Sequence, residues 1–114
     1  CGLEIAAMAG FYRRASASGL TVVLDGFIAT AAALVAERLW PGTARSMIAA
    51  HQSAEPGHAA ALARLGLEPA LGNWGMRLGE GTGALLLMPL LDAAAAVVTR
   101  MATLDQAGVR ADGP

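Results

Sequence analysis

The chain has no lysine, one cysteine and only five aromatic side chains, two Phe, one Tyr and two Trp, in 114 residues. Each scarcity excludes something. A lone Cys1 cannot close an intrachain disulfide, so a secreted disulfide-stapled scaffold is out. All eight basic residues are arginines scattered along the chain, and the net charge is −1. No basic stripe results, which argues against a nucleic-acid partner. No charged stretch followed by an apolar core and a cleavage site marks export, and the cytoplasm is the expected compartment. The two longest apolar runs are interrupted, Thr21 to Ala36 by Asp25-Gly26 and Gly83 to Val98 by Pro89 and Asp92. Both fall short of the ~20 residues that cross a bilayer, so no membrane is expected as a partner.

What is abundant is alanine, within a hydrophobic fraction of 55%. The core is therefore expected to consist of small side chains, each burying little area. The length bounds the chain at one domain or part of one. It opens at Cys1 without methionine and enters a helical pattern at once, so it is read as a piece of something longer. Residues 1–106 are read as part of a larger α/β domain, and 107–114 as a polar, frayed tail.

Gly2 to Ala17 reads as a helix, with Leu3, Met8, Phe11 or Tyr12 and Ala15 near helical spacing and Gly19 as its stop. Leu20 to Leu24 is a short β-branched run ending at Asp25-Gly26, hence a buried strand. Phe27 to Leu39 is a second helix, its apolar stripe drawn through Phe27, Ile28, Ala31, Leu34, Val35 and Leu39, ended by Trp40-Pro41-Gly42. Ser46 to Ala50 is a second strand that ends in His51-Gln52-Ser53. A helix from about Glu55 to Leu65 follows, with Pro56 in its first turn and Gly66 as its stop. Leu67 to Leu71 is a weaker third strand, limited by Pro69. A long helix from Thr82 to Met101 carries Leu90, Ala94, Val97, Val98 and Met101 on one face, with Pro89 kinking it or marking its start.

Strand, helix, strand within about thirty residues is the pattern of a parallel α/β sheet. Such sheets are covered on both faces and hold about four to six strands. Two or three strands leave edges that native proteins avoid exposing, so marginal stability and association are expected of these residues alone.

In open α/β sheets ligands bind beyond the carboxyl ends of the strands. Here those ends carry Asp25-Gly26, then His51-Gln52-Ser53, and the third candidate strand leads to Gly79-Glu80-Gly81-Thr82-Gly83. Glycines around Glu80 permit φ > 0 and close approach of a ligand. Each tip also has an ordinary structural reading. Glu80 can complement the positive end of the following helix; Asp25 can form a turn or cap the next helix; and Ser53 or Glu55 can be an N-cap. A cap hydroxyl beside free N–H groups equally makes a phosphate site. His51 and His58, seven residues apart across a strand–helix junction, lack the ligand set of a zinc site, and no metal is expected. No nucleophile elbow, Walker loop or dinucleotide fingerprint is present. A carboxylate base near a possible phosphate site remains.

Four segments in register extend this reading. Cys1-Gly2-Leu3-Glu4-Ile5-Ala6-Ala7, Val22-Val23-Leu24-Asp25-Gly26-Phe27-Ile28, His51-Gln52-Ser53-Ala54-Glu55-Pro56-Gly57-His58 and Met76-Arg77-Leu78-Gly79-Glu80-Gly81-Thr82-Gly83 together resemble the C-terminal third of the nicotinate-nucleotide–dimethylbenzimidazole phosphoribosyltransferase family. The resemblance implies a Rossmann-like parallel α/β enzyme, usually a homodimer, of cobalamin lower-ligand synthesis. It implies transfer of phosphoribose from nicotinate mononucleotide to 5,6-dimethylbenzimidazole, without a cofactor. Glu80 matches the family's catalytic base. Ser53 and the Leu78-Gly79 backbone match positions near the nucleotide phosphate, and Asp25-Gly26 matches the lining of the same cleft. Two departures stand out: Cys1 replaces a glycine, and Gly72-Asn73-Trp74 is one residue longer than the family's approach to the glutamate loop. Because the resemblance covers only the family's last third, an inactive fragment is expected, the alternatives being a non-catalytic nucleotide-binding or assembly module and a split enzyme whose other half is a separate chain.

Overall fold

The computed structural model describes residues 2–109; Cys1 and the tail beyond Val109 lie outside the described residues. The elements follow in the order α1 (Leu3–Ala17), β1 (Val22–Leu24), α2 (Phe27–Leu39), a 3₁₀ turn (Thr43–Ser46), β2 (Met47–Ala49), α3 (His58–Leu65) and α4 (Thr82–Arg100). β1 and β2 pair in parallel, with Val22, Val23 and Leu24 opposite Met47, Ile48 and Ala49. The β1–α2–β2 unit is thus the predicted strand–helix–strand, with shorter strands than the apolar runs promised. The third candidate strand is reduced to one parallel bridge, Ala49 to Pro69. Proline has no N–H to continue a ladder, and only Ala70 and Leu71 donate back, to Ala49 and Ala50.

The core lies between α1, α2 and the sheet and is built largely of alanine. Ala9, Tyr12 and Ala15 of α1 meet Ala32, Ala33 and Ala36 of α2, with Val22, Leu24 and Met47 beneath. Small residues let the helices approach closely, and Tyr12 pins them by donating its hydroxyl to the Ala29 carbonyl at 3.3 Å. Between Phe11 and Tyr12, the buried ring is Tyr12. The stripe drawn along α2 is corrected. Ile28, Val35 and Leu39 are exposed, and the buried face runs through Thr30, Ala32, Ala33 and Ala36. Size misled the assignment, because tight helix packing here selects small residues and leaves the larger ones outward.

The junction after α2 is held by Glu37, whose two carboxylate oxygens accept from the amides of Gly42 (2.8 Å) and Ala44 (2.7 Å). Those two bonds hold its carboxyl below the usual range. This carboxylate organises the 3₁₀ turn that the sequence did not reveal. α3 begins at His58, not near Glu55. Its N-cap is Gly57, and neither Ser53 nor Glu55 caps it. Gly66 ends it with φ 68°, as the glycine stop requires.

α4 departs furthest from expectation. Pro89 lies within it, so the helix starts at Thr82. Only Gly83 and Leu87 are buried, while the expected inner face at Leu90, Val97 and Val98 is exposed, as is Met101 just past its end. The helix packs on the rest of the described residues through its first turns alone. That explains a radius of gyration of 17.4 Å, against about 13 Å for a compact 100-residue domain. At 19 residues the helix is, by length and composition, long and apolar enough to cross a membrane. The shorter run read from Gly83 to Val98 had fallen below that length. Beyond α4, Ala107 donates to Thr103 and Val109 to Leu104.

Candidate active site

The three polar tips converge. A cleft of about 560 Å³ opens beyond the strand ends, lined by Asp25 and Gly26 after β1, by His51, Ser53 and Glu55 after β2, and by Gly79 and Glu80. Of the six residues singled out, five line it. Leu78 does not, and its side chain is exposed. Phe27, Ile28 and Ala29 from the first turn of α2 complete one wall, and Met76 and Arg77 another.

The floor is organised by His58, which is fully buried. The Ser53 amide donates to its Nδ1 (2.9 Å). An accepting Nδ1 places the proton on Nε2, which donates to Thr30 Oγ1 (2.9 Å). Thr30 Oγ1 in turn donates to the Gly26 carbonyl (2.9 Å). One neutral imidazole thereby ties the β2 tip to the β1 tip. Burial is the main cause holding its pKa below the usual histidine value; His51 lowers it further, and Asp25 opposes. Both ring nitrogens are taken, so His58 has none left for a metal. Sequence reasoning had weighed His58 only as a ligand; its full burial beside Ser53 gave no signal in the spacing.

Asp25 lines the cleft as expected but does not cap the helix that follows it, the structural alternative for this residue. α2 has no side-chain cap. Instead, Asp25 Oδ1 accepts from the amides of Gly83 (2.7 Å) and Ala84 (3.1 Å), at the start of α4 and nearly sixty residues away. The same oxygen lies 3.6 Å from His51 Nε2. His51 is buried, and its Nδ1 has no hydrogen-bond partner among the described residues.

The loop bearing Glu80 is stitched to the β2 tip. Gln52 N donates to Gly72 O (2.9 Å) and Ala54 N to Met76 O (3.3 Å). Arg77 stands 3.7 Å from Glu55 in an exposed ion pair. Gly79, Glu80 and Gly81 then take φ of 72°, 59° and 75°, three successive left-handed residues. Glu80 is the one non-glycine with positive φ among the described residues. Such a conformation persists where surrounding structure holds it, and it clusters at functional sites. Its side chain is exposed.

A family model described as a phosphoribosyltransferase matches residues 1–109. The chain belongs to that family. The nicotinate-nucleotide–dimethylbenzimidazole phosphoribosyltransferase of Desulforudis audaxviator is 56% identical over 108 residues, covering 95% of this chain and 30% of the relative. That of Mycobacterium leprae is 54% identical over the same length and the same shares. A crystal structure of the Thermus thermophilus enzyme of that name superposes with a TM-score of 0.89 at 49% identity, covering 96% of this chain and 33% of that one. The resemblance drawn from four motifs therefore holds across nearly the whole chain. The chain spans about a third of the length of the proteins it matches.

Proposed function

We propose that this chain carries the catalytic base of phosphoribosyl transfer from nicotinate mononucleotide to 5,6-dimethylbenzimidazole, giving α-ribazole 5′-phosphate and nicotinate. The observation that carries the reading is Glu80, held by two left-handed glycines at the lip of the strand-end cleft. One benzimidazole nitrogen attacks ribose C1′ while Glu80 takes the proton from the other. The C1′–N bond to nicotinate breaks, and its electron pair leaves with the pyridine nitrogen. Attack opposite the leaving group turns a β- into an α-linkage. The pyridinium nitrogen is already a good leaving group, so the step calls for no metal.

Ser53 and the Leu78-Gly79 backbone are assigned to the nucleotide phosphate, and Asp25-Gly26 to the wall beside it. The buried position of Ser53 between His58 and the loop supports a rigid place for that contact. Residues 1–106 are taken as the C-terminal portion of one α/β domain, in a cytoplasmic homodimer. The exposed apolar length of α4 supports a covering surface supplied by the rest of that enzyme or by its second copy, rather than by lipid. The exposure of Glu80 supports little or no turnover by these residues alone.

The test is nicotinate release from the two substrates, measured with the chain in a full-length enzyme, for instance in place of the matching third of the Thermus protein. Glu80→Gln is expected to lower kcat by about 10²–10⁴-fold, the usual contribution of a general base, and to leave nucleotide binding intact. An undiminished rate would remove Glu80 from the role and leave a nucleotide-binding module.

A further inference from the structure

Asp25 and His51 sit at the tips of adjacent strands, yet neither side chain is spent on its own element. We propose that they form a positioning pair for Glu80, fixing the first turn of α4 and through it the left-handed loop. The inference rests on the reading of Glu80 as the base.

Three observations carry it. Gly81 caps α4 without any side-chain bond, so the helix start depends on Asp25, whose Oδ1 takes two of its free amides. Gly83 leaves no room for a side chain. A Cβ there would overlap the His51 ring and stand 2.9 Å from Asp25 Oδ1. The backbone of α4 thus comes against the pair as closely as glycine allows, which fixes the helix in position and rotation. Glu80 is three residues away, connected through left-handed Gly81 and a turn in which Thr82 N donates to Gly79 O (3.0 Å). The Glu80 side chain has no hydrogen bond or ion pair of its own among the described residues. Its placement is therefore inherited from the backbone on either side, and on the α4 side that backbone is anchored at Asp25.

A carboxylate that anchors amides differs from one that touches substrate in what asparagine can replace. Both amides converge on a single oxygen, and the asparagine carbonyl keeps that acceptor. In the full-length enzyme, Asp25→Ala and Gly83→Ala are each expected to lower kcat by about 100-fold, the effect of misplacing a reacting group by roughly 1 Å. KM for nicotinate mononucleotide should change by less than about threefold. Asp25→Asn should lose no more than about tenfold. Alanine is the better helix former, so a loss at Gly83→Ala cannot come from helix propensity. A kcat for Gly83→Ala near that of the parent, Asp25→Asn as damaging as Asp25→Ala, or an effect mainly on KM would overturn the proposal. Amide exchange separates this inference from the Glu80 assignment. Gly83 and Ala84 should lose protection in Asp25→Ala and keep most of it in Asp25→Asn, with Ala50 protected in both, whatever Glu80→Gln does to turnover. Unchanged protection at Gly83 and Ala84 in Asp25→Ala sinks the anchor even if Glu80 is the base.

Discussion

Replacing Thr30 by valine removes a single hydroxyl from the floor of the cleft. Thr30 Oγ1 accepts the Nε2 proton of His58 and donates to the Gly26 carbonyl. That carbonyl keeps the Thr30 amide at 3.0 Å and is not orphaned. The imidazole N–H, wholly buried, is left without an acceptor, which costs about 1–3 kcal/mol. The methyl that takes the place of the hydroxyl returns roughly 0.8 kcal/mol through apolar burial. A net loss of roughly 0.2–2 kcal/mol is expected, centred near 1 kcal/mol. With urea m-values of about 1–3 kcal/mol per molar, the unfolding midpoint followed by far-UV circular dichroism should fall by roughly 1 M. The same substitution in a His58→Phe background should have almost no effect, because the unpaired N–H is gone, and the coupling in that cycle should be about 1–2 kcal/mol. Equal shifts in both backgrounds, or a shift below about 0.3 M in the parent, would refute the hydrogen-bonded chain from Ser53 through His58 to Gly26.

The depressed pKa of His58 sets a pH dependence. The unfolded chain binds the proton more readily, so this contribution to stability is fully present above the ordinary histidine value of about 6.5 and is lost as pH falls through the lower folded value. Urea midpoints should rise between pH 5 and pH 7.5, and His58→Phe should flatten that rise. The exposed faces of α4 and the free strand edge should make the chain associate at rising concentration, as read by size-exclusion chromatography with light scattering. A chain that stays monomeric at every concentration would contradict this.

The sequence made the order of elements legible because local signals agreed with the tertiary outcome. The bounds of α2 are as read, and Gly19 and Gly66 fall where left-handed stops are needed. What it hid was direction. Periodicity marked apolar faces on α2 and α4 without saying that alanine would face inward on the first, or that the second would be covered only along its first turns among these residues. The cleft was legible as a set of polar tips, because parallel strands bring their carboxyl ends together. Two of the side-chain contacts around it were not. Asp25 meets Gly83 across 58 positions, and His58 turns inward at the start of its helix, neither of which leaves a trace in local spacing. Glu80 was legible through its glycines, although its left-handed backbone is a property of the fold.

α4 is gripped at its first turns and free along the remainder. Nineteen residues make a rod of about 28 Å, and a rod clamped at one end is a lever. A tilt of about 5° at the clamp carries the far end through roughly 2.5 Å. The mechanical advantage works in reverse as well. A contact on the outer turns would hold the base of the rod steady with little force, and Glu80 hangs from that base. A surface that gripped the outer turns would thus set part of the stiffness of the Glu80 loop from the opposite end of the helix.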